Sequence, residues 1–309
     1  MNKKTAFVVP IYPPHYEFGK NFYNSFIDNK LDTTADFYYV FSDDEDANLF
    51  WEFEYKIILP KELLSRCKKN GSHMPDVKKF YALNYLKDKY DYLIIADAES
   101  MIVKNIDVYN VCSEYFNNKV LYWNSYVKSA KWIDFIINKS LSRIPHKYTW
   151  ENINLNLWFN QPCIYKTEYL DDFFKKSKVL DDIDHLIFGE FDYYIYMFYL
   201  IFYKDFQIYD IWIEANWGFC EATNMGEINI KNENYKNCKF LACTQFVYNF
   251  LSPNNKGVFL IHHLDRKQPN IFSKIKNTIA SVIMYWASKL GFNINVINKM
   301  RNIRRKYFW

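Results

Sequence analysis

The chain has 309 residues, half of them hydrophobic, with 27 Tyr, 27 Phe and 9 Trp. That length suits one large domain or two small ones at roughly 100–200 residues per domain, with ample apolar material for a core. The formal net charge is +4, but ten Lys/Arg and no acid fall between Arg266 and Trp309, so the remainder carries −6. An acidic body with a basic tail does not match nucleic-acid binding, where basic charge spreads over the folded face, and suits contact with an anionic membrane surface. The six cysteines (Cys67, Cys112, Cys163, Cys220, Cys238, Cys243) form no C-x-x-C pair and no zinc spacing, which fits free thiols in a reducing cytoplasm. The opening MNKKTAFVVPIYPP has only a short, proline-broken apolar run, unlike a signal peptide or a spanning helix.

In chain order, Thr5–Tyr12 predicts a buried strand stopped by Pro13-Pro14, and Tyr16–Asn29 a helix with Phe18, Phe22, Phe26 and Ile27 near one face. Asp36–Phe41 predicts a second strand running into Ser42-Asp43-Asp44-Glu45-Asp46, and Tyr55–Leu59 a third. Asp76–Asp88 predicts a helix capped by Asp76. Asp91–Ala96 predicts a fourth strand that ends in Asp97-Ala98-Glu99. A helix over Ile106–Phe116 and a strand from Val120 follow. Farther on, strands are expected at Pro162–Tyr165, Phe206–Ile213, Lys239–Phe246 and Gly257–Ile261, and helices at Glu168–Lys176 and Glu190–Tyr203. Strands alternating with helices imply an α/β fold with a mostly parallel sheet, whose ligands sit at the carboxyl ends of the strands. From Ile271 onward, Ile275, Ile279, Val282, Ile283, Trp286 and Leu290 recur at helical spacing, interrupted by lysines. That run is too short to span a bilayer and fits either an interfacial helix or a helix packed on the body with a solvated basic end.

The chemistry centres on Asp97 and Glu99. Two carboxylates at i, i+2 just after an apolar strand can hold one hard divalent cation, Mn2+ or Mg2+, which in turn can neutralise a departing diphosphate. The triplet by itself is a weak signal; its place at the end of Leu93-Ile94-Ile95-Ala96 strengthens it. His262 and His263 follow the apolar strand Val258–Ile261, and a neutral imidazole can be a further metal ligand.

TAFVVPIY, FYYVFSD, KKFYALNYLKDKYDYLIIADAES and FLIHHLDRK together resemble the layout of bacterial GT-A glycosyltransferases, those that build capsules and lipooligosaccharides. The resemblance covers about residues 5–265, and the chain departs from the usual D-x-D motif in having Glu99 as its second acid. It implies a GT-A-like, Rossmann-type sandwich at 1–265, with nucleotide-sugar binding in about 1–125 and acceptor binding in about 126–265, and a basic helical tail at 266–309. It implies a metal-dependent transferase that moves a sugar from a nucleotide-sugar donor to a glycan or lipid-linked glycan, in the cytoplasm or at the inner membrane face. Asp97 would meet ribose and metal, Glu99 the metal, and His262 or His263 would be the third ligand. Lys78 or Lys79 would meet donor sugar or phosphates, with Lys267 reaching the diphosphate. Pro10, Ile11 and Tyr12 would wall the base, and Asp43 or Asp44 would bond base or ribose.

Glu190 or Asp192 would be the acceptor base of an inverting enzyme; both also fit a helix N-terminus that favours acids. Trp158, Asn160, Gln161 and Trp217 are the expected acceptor wall. Two other readings share these features: a sugar nucleotidyltransferase, disfavoured by Pro13-Pro14-His15 where its glycine-rich loop would lie, and a non-catalytic scaffold that binds a membrane or partner through its tail.

Overall fold

The computed structural model describes residues 3–67, 73–123, 131–147, 163–210, 219–222, 239–244, 248 and 258–265. The chain divides into two units, Met1–Asp265 and Arg266–Trp309, and the description below is of the first. The expected basic tail with Lys267, and the expected acceptor residues Trp158, Asn160, Gln161 and Trp217, lie outside the described residues.

The α/β class expected from the sequence is the observed one. The main sheet has the order β3-β2-β1-β4-β7. It is built from β1 (Thr5–Pro10), β2 (Ala35–Phe41), β3 (Lys56–Ile58), β4 (Tyr92–Ile95) and β7 (Ile164–Lys166). The first four run parallel, and β7 lies antiparallel against β4. Intervening helices are α1 (Tyr16–Asp28), α2 (Asp44–Leu49), α3 (Lys61–Arg66) and α4 (Met74–Leu86). After β4 come β5 (Met101–Ile102), α5 (Val108–Asn118), β6 (Val120–Trp123) and α6 (Lys131–Ser142). After β7 come α7 (Leu170–Ser177), α8 (Asp192–Tyr203), β8 (Gln207–Asp210), β9 (Phe219–Ala222), β10 (Lys239–Thr244) and β11 (Leu260–His262). A second sheet has the order β5-β11-β10-β9, and β6 pairs with β8.

Burial on both faces explains the continuous apolar runs of the inner strands. Ala6, Phe7, Val8 and Val9 are all fully buried, as is Leu93 beside them on β4. Phe7, Phe22, Phe26 and Phe37 interlock between sheet and α1, with Phe37 edge-on to both Phe22 and Phe26 at 5.1 Å between ring centres. Gly19 lets α1 approach the sheet: a Cβ there would lie 2.4 Å from Ile11 Cδ1, and the Gly19 carbonyl accepts from the Tyr39 hydroxyl at 2.7 Å. Helix α8 is buried on every side from Asp192 to Leu200, which is why its sequence is aromatic throughout instead of amphipathic.

Three local expectations change. The first strand ends at Pro10, two residues early, and Pro13–His15 form a short 3-10 turn. The acidic stretch after β2 is helical: Asp43 caps α2 by accepting from the Asp46 N–H at 2.9 Å. Asp76 is no cap, because α4 begins two residues earlier at Met74 and Asp76 is buried.

Candidate metal and donor site

The four residues of β4 are all buried, so the chain can turn towards solvent only after them. Beyond the strand, Ala96 and Ala98 remain buried while Asp97 and Glu99 are partly open, an alternation that keeps both carboxylates on the wetter side. The neighbouring parallel strand β1 ends at the same edge, since the Ala96 N–H bonds the Val8 carbonyl at 3.1 Å. The carboxyl ends of β1 and β4 thus form one rim.

The histidine pair reaches this rim through the second sheet. Strand β5, just after Glu99, pairs antiparallel with β11, with Met101 opposite Ile261. The Leu264 N–H then bonds the Glu99 carbonyl at 3.0 Å. His263 sits just beyond β11 at φ 58°, in the left-handed region that histidine enters more readily than most non-glycine residues. One ligand atom each from Asp97, Glu99 and His263 lies within 4.8 Å of the others. Two carboxylate oxygens and an imidazole nitrogen form a donor set that suits a divalent cation such as Mn2+. His262 and His263 are both buried with ring centres 4.5 Å apart, and only His263 belongs to this group.

His15, which the sequence reading passed over, completes the rim. Its Nδ1 lies 2.9 Å from Glu99 Oε2 and its Nε2 lies 2.8 Å from the Tyr12 hydroxyl. An ionised carboxylate only accepts, so the Nδ1 proton belongs to the bond with Glu99. The hydrogen bond to Glu99 raises the His15 pKa above its ordinary value; burial opposes this, and the charges of Glu99, Asp265 and Asp97 add to it. The position had one legible signal: a histidine after a Pro-Pro turn, starting a helix at the carboxyl end of a strand.

The base wall narrows to one ring. Ile11 is buried and Pro10 half-buried, while Tyr12 is exposed. Asp43 is committed to its cap, and Asp44 is exposed in the first turn of α2.

The lysine pair divides. Lys78 is buried and donates to the Ile11 carbonyl at 2.6 Å, so it fastens α4 to the end of β1 instead of facing a ligand. Lys79 bonds Asp192 Oδ1 at 3.1 Å. Burial works against its charge, but Asp192, Asp97 and Asp76 together hold its pKa well above the ordinary lysine value. Lys79 is therefore a fixed positive charge within the field of Asp97.

The two candidate bases are both occupied. Asp192 is fully buried and accepts from Lys79 and from the Tyr165 hydroxyl, while its N–H reaches Asp76 Oδ1 at 3.3 Å. Glu190 is buried and accepts from Arg143 through both oxygens, at 2.8 and 2.9 Å, and from the Ile187 N–H at 2.9 Å. Arg143 also holds Asp182 at 2.7 and 2.8 Å. A carboxylate held in such a fork braces the helices and loops around it. Acids clustered at the start of α8 look alike in sequence whether they catalyse or brace.

No family model matches the chain, and no curated protein matches it. Among solved structures it is similar to S. aureus TarS, with 13% identity and a TM-score of 0.33 over 59% of this chain and 32% of that one. It is also similar to S. aureus TarS 1-349, with 14% identity and a TM-score of 0.32 over 55% of this chain and 48% of the other. The chain thus spans less than half the length of either, and so slight an overlap carries no inference about its chemistry.

Proposed function

We propose that the chain is a glycosyltransferase that moves a sugar from a nucleotide-diphosphate donor to a glycan or lipid-linked glycan, using a divalent cation. The observation that carries this reading is the meeting of Asp97, Glu99 and His263 at the carboxyl-terminal rim of a mostly parallel sheet. Those three residues would hold the cation. When bound, it would supply charge neutralisation for the departing nucleoside diphosphate.

The chain's own groups do the rest. The exposed Tyr12 ring offers a face for the nucleotide base. Lys79, held charged at all working pH, adds positive potential on the Asp97 side of the donor phosphates. With Glu190 and Asp192 both tied up in bonds, the acceptor hydroxyl must lose its proton to another group, which favours a reaction that needs no dedicated base from the start of α8. The basic tail would hold the protein near a lipid-linked acceptor at an anionic leaflet, as in surface polysaccharide synthesis. Among the described residues no helix is long and apolar enough to cross a membrane.

The test is release of nucleoside diphosphate from UDP- and GDP-sugars, screened with Mn2+. One donor should be hydrolysed slowly by the intact protein, and Asp97→Ala, Glu99→Ala and His263→Ala should each lower that rate by at least about a hundredfold. Unchanged turnover in all three variants would sink the proposal. For the tail, truncation at residue 270 should abolish sedimentation with phosphatidylserine vesicles; equal sedimentation would remove the membrane role alone.

A further inference from the structure

We propose that His15 is the positioning residue of the cation site, holding Glu99 in its ligating orientation while Tyr12 locks the imidazole. The inference rests on the reading of Asp97, Glu99 and His263 as a cation site. It adds a residue from the turn after β1, 84 positions away in sequence from the carboxylate it holds.

Glutamate is the longer of the two acids and keeps one more rotatable bond than Asp97, so its carboxylate is the harder one to fix in place. Ordering it costs entropy at the moment a cation binds unless the ordering is already done. Here it is done by a ring that is itself over-determined. Both nitrogens of His15 are bonded, Nδ1 to Glu99 at 2.9 Å and Nε2 to Tyr12 at 2.8 Å. The ring also stands 5.8 Å, edge-on, from Phe18 on the first turns of α1, and 4.4 Å from the Tyr12 ring. Its backbone is equally fixed. Pro13 and Pro14 set the 3-10 turn, and the His15 N–H bonds the Tyr12 carbonyl at 2.9 Å. The His15 and Glu99 side chains are 18% and 14% exposed, enough to shelter the bond from competing water while leaving the rim open. Partners that orient a metal ligand in this way typically set affinity by about ten- to a hundredfold.

Affinity of the full chain for Mn2+ alone, followed by loss of the free Mn2+ electron-paramagnetic signal, tests the assignment. His15→Ala should weaken Mn2+ about ten- to a hundredfold. His15→Asn places an amide N–H near the position of Nδ1 and should recover most of the loss, which a general loss of packing would not allow. Tyr12→Phe should weaken Mn2+ by a smaller factor, about two- to tenfold. If wild type binds Mn2+, Asp97→Ala abolishes binding and His15→Ala binds as wild type, the His15 role is wrong and the cation site stands. If His15→Ala weakens binding and His15→Asn does not restore it, hydrogen-bonded positioning is overturned. If Tyr12→Phe binds as tightly as wild type, the lock falls. If wild type binds no Mn2+, the cation reading and this inference fall together.

Discussion

Two acid clusters, Asp76 with Asp192 and Asp97 with Glu99, differ in how their charge is settled. Asp76 and Asp192 are buried, and they close on Lys79, on the Tyr165 hydroxyl and on one another through the Asp192 N–H. Asp97 and Glu99 are partly open at the sheet rim, with His263 and His15 as imidazole neighbours. The first cluster contains its own cation and its hydrogen bonds are internal, as a brace requires. The second gathers carboxylates beside imidazoles, the arrangement proposed above to accept a cation from solution. Proximity of acids thus says little about function until burial and bonding partners are known.

The largest effect should come from breaking the brace. Asp192→Ala strips Lys79 and Tyr165 of a buried partner, and removing one member of such a pair costs about 3–5 kcal/mol. Urea unfolding should show a loss of that order; a change under about 1 kcal/mol would mean the cluster is not closed as described. The rim should respond the other way. Asp97→Asn, without metal, should leave stability within about 0.5 kcal/mol, as for substitutions outside packed or paired sites.

Cation binding should then separate the clusters. At a Mn2+ concentration one hundred times its dissociation constant, linkage predicts about 2.7 kcal/mol of added stability in wild type. Asp97→Asn should lose that increment, whereas Glu190→Gln should keep it, being weakened instead through the Arg143 fork by about 1.5–3 kcal/mol. An equal Mn2+ increment in Asp97→Asn and wild type would place cation binding elsewhere.

The sequence made some of this legible and hid the rest for a physical reason. The apolar run Leu93–Ala96 followed by Asp97-Ala98-Glu99 is a local pattern, and so are the strands and helices of the parallel sheet. What joins the clusters is long-range. Lys79 meets Asp192 across 113 positions and Arg143 meets Glu190 across 47, and periodicity carries no record of such pairs. Asp76 was misread for the same reason: Pro75-Asp76 has the composition of a helix start, but partners from α8 bury the carboxylate inside the first turn. His263 was reachable through the family resemblance; His15, whose bond to Glu99 spans 84 positions, was reachable only through its turn.

One further effect is specific to the closed cluster. Burial pushes the Asp76 carboxyl up to about 8 from an ordinary 3.8, with Lys79 opposing and Asp192 reinforcing the shift. A carboxyl whose pKa is higher folded than unfolded keeps its proton in the native state where the unfolded chain has lost it. Its contribution to stability is therefore fully present below about pH 4 and is lost as pH rises towards about 8. Lys79 stays charged throughout that window and adds no slope, because its own pKa is shifted upward. His15, also raised, loses stabilisation with the same sign but only above the ordinary histidine range. Comparing wild type with Asp76→Asn cancels the His15 contribution, since that residue is unchanged in both. The variant should lose that pH dependence, so the wild type should become less stable relative to it as pH rises from 4 to 8. Melting temperatures at one-unit pH steps would show parallel curves if Asp76 ionised in both states alike, and converging curves at low pH if the buried cluster holds its proton.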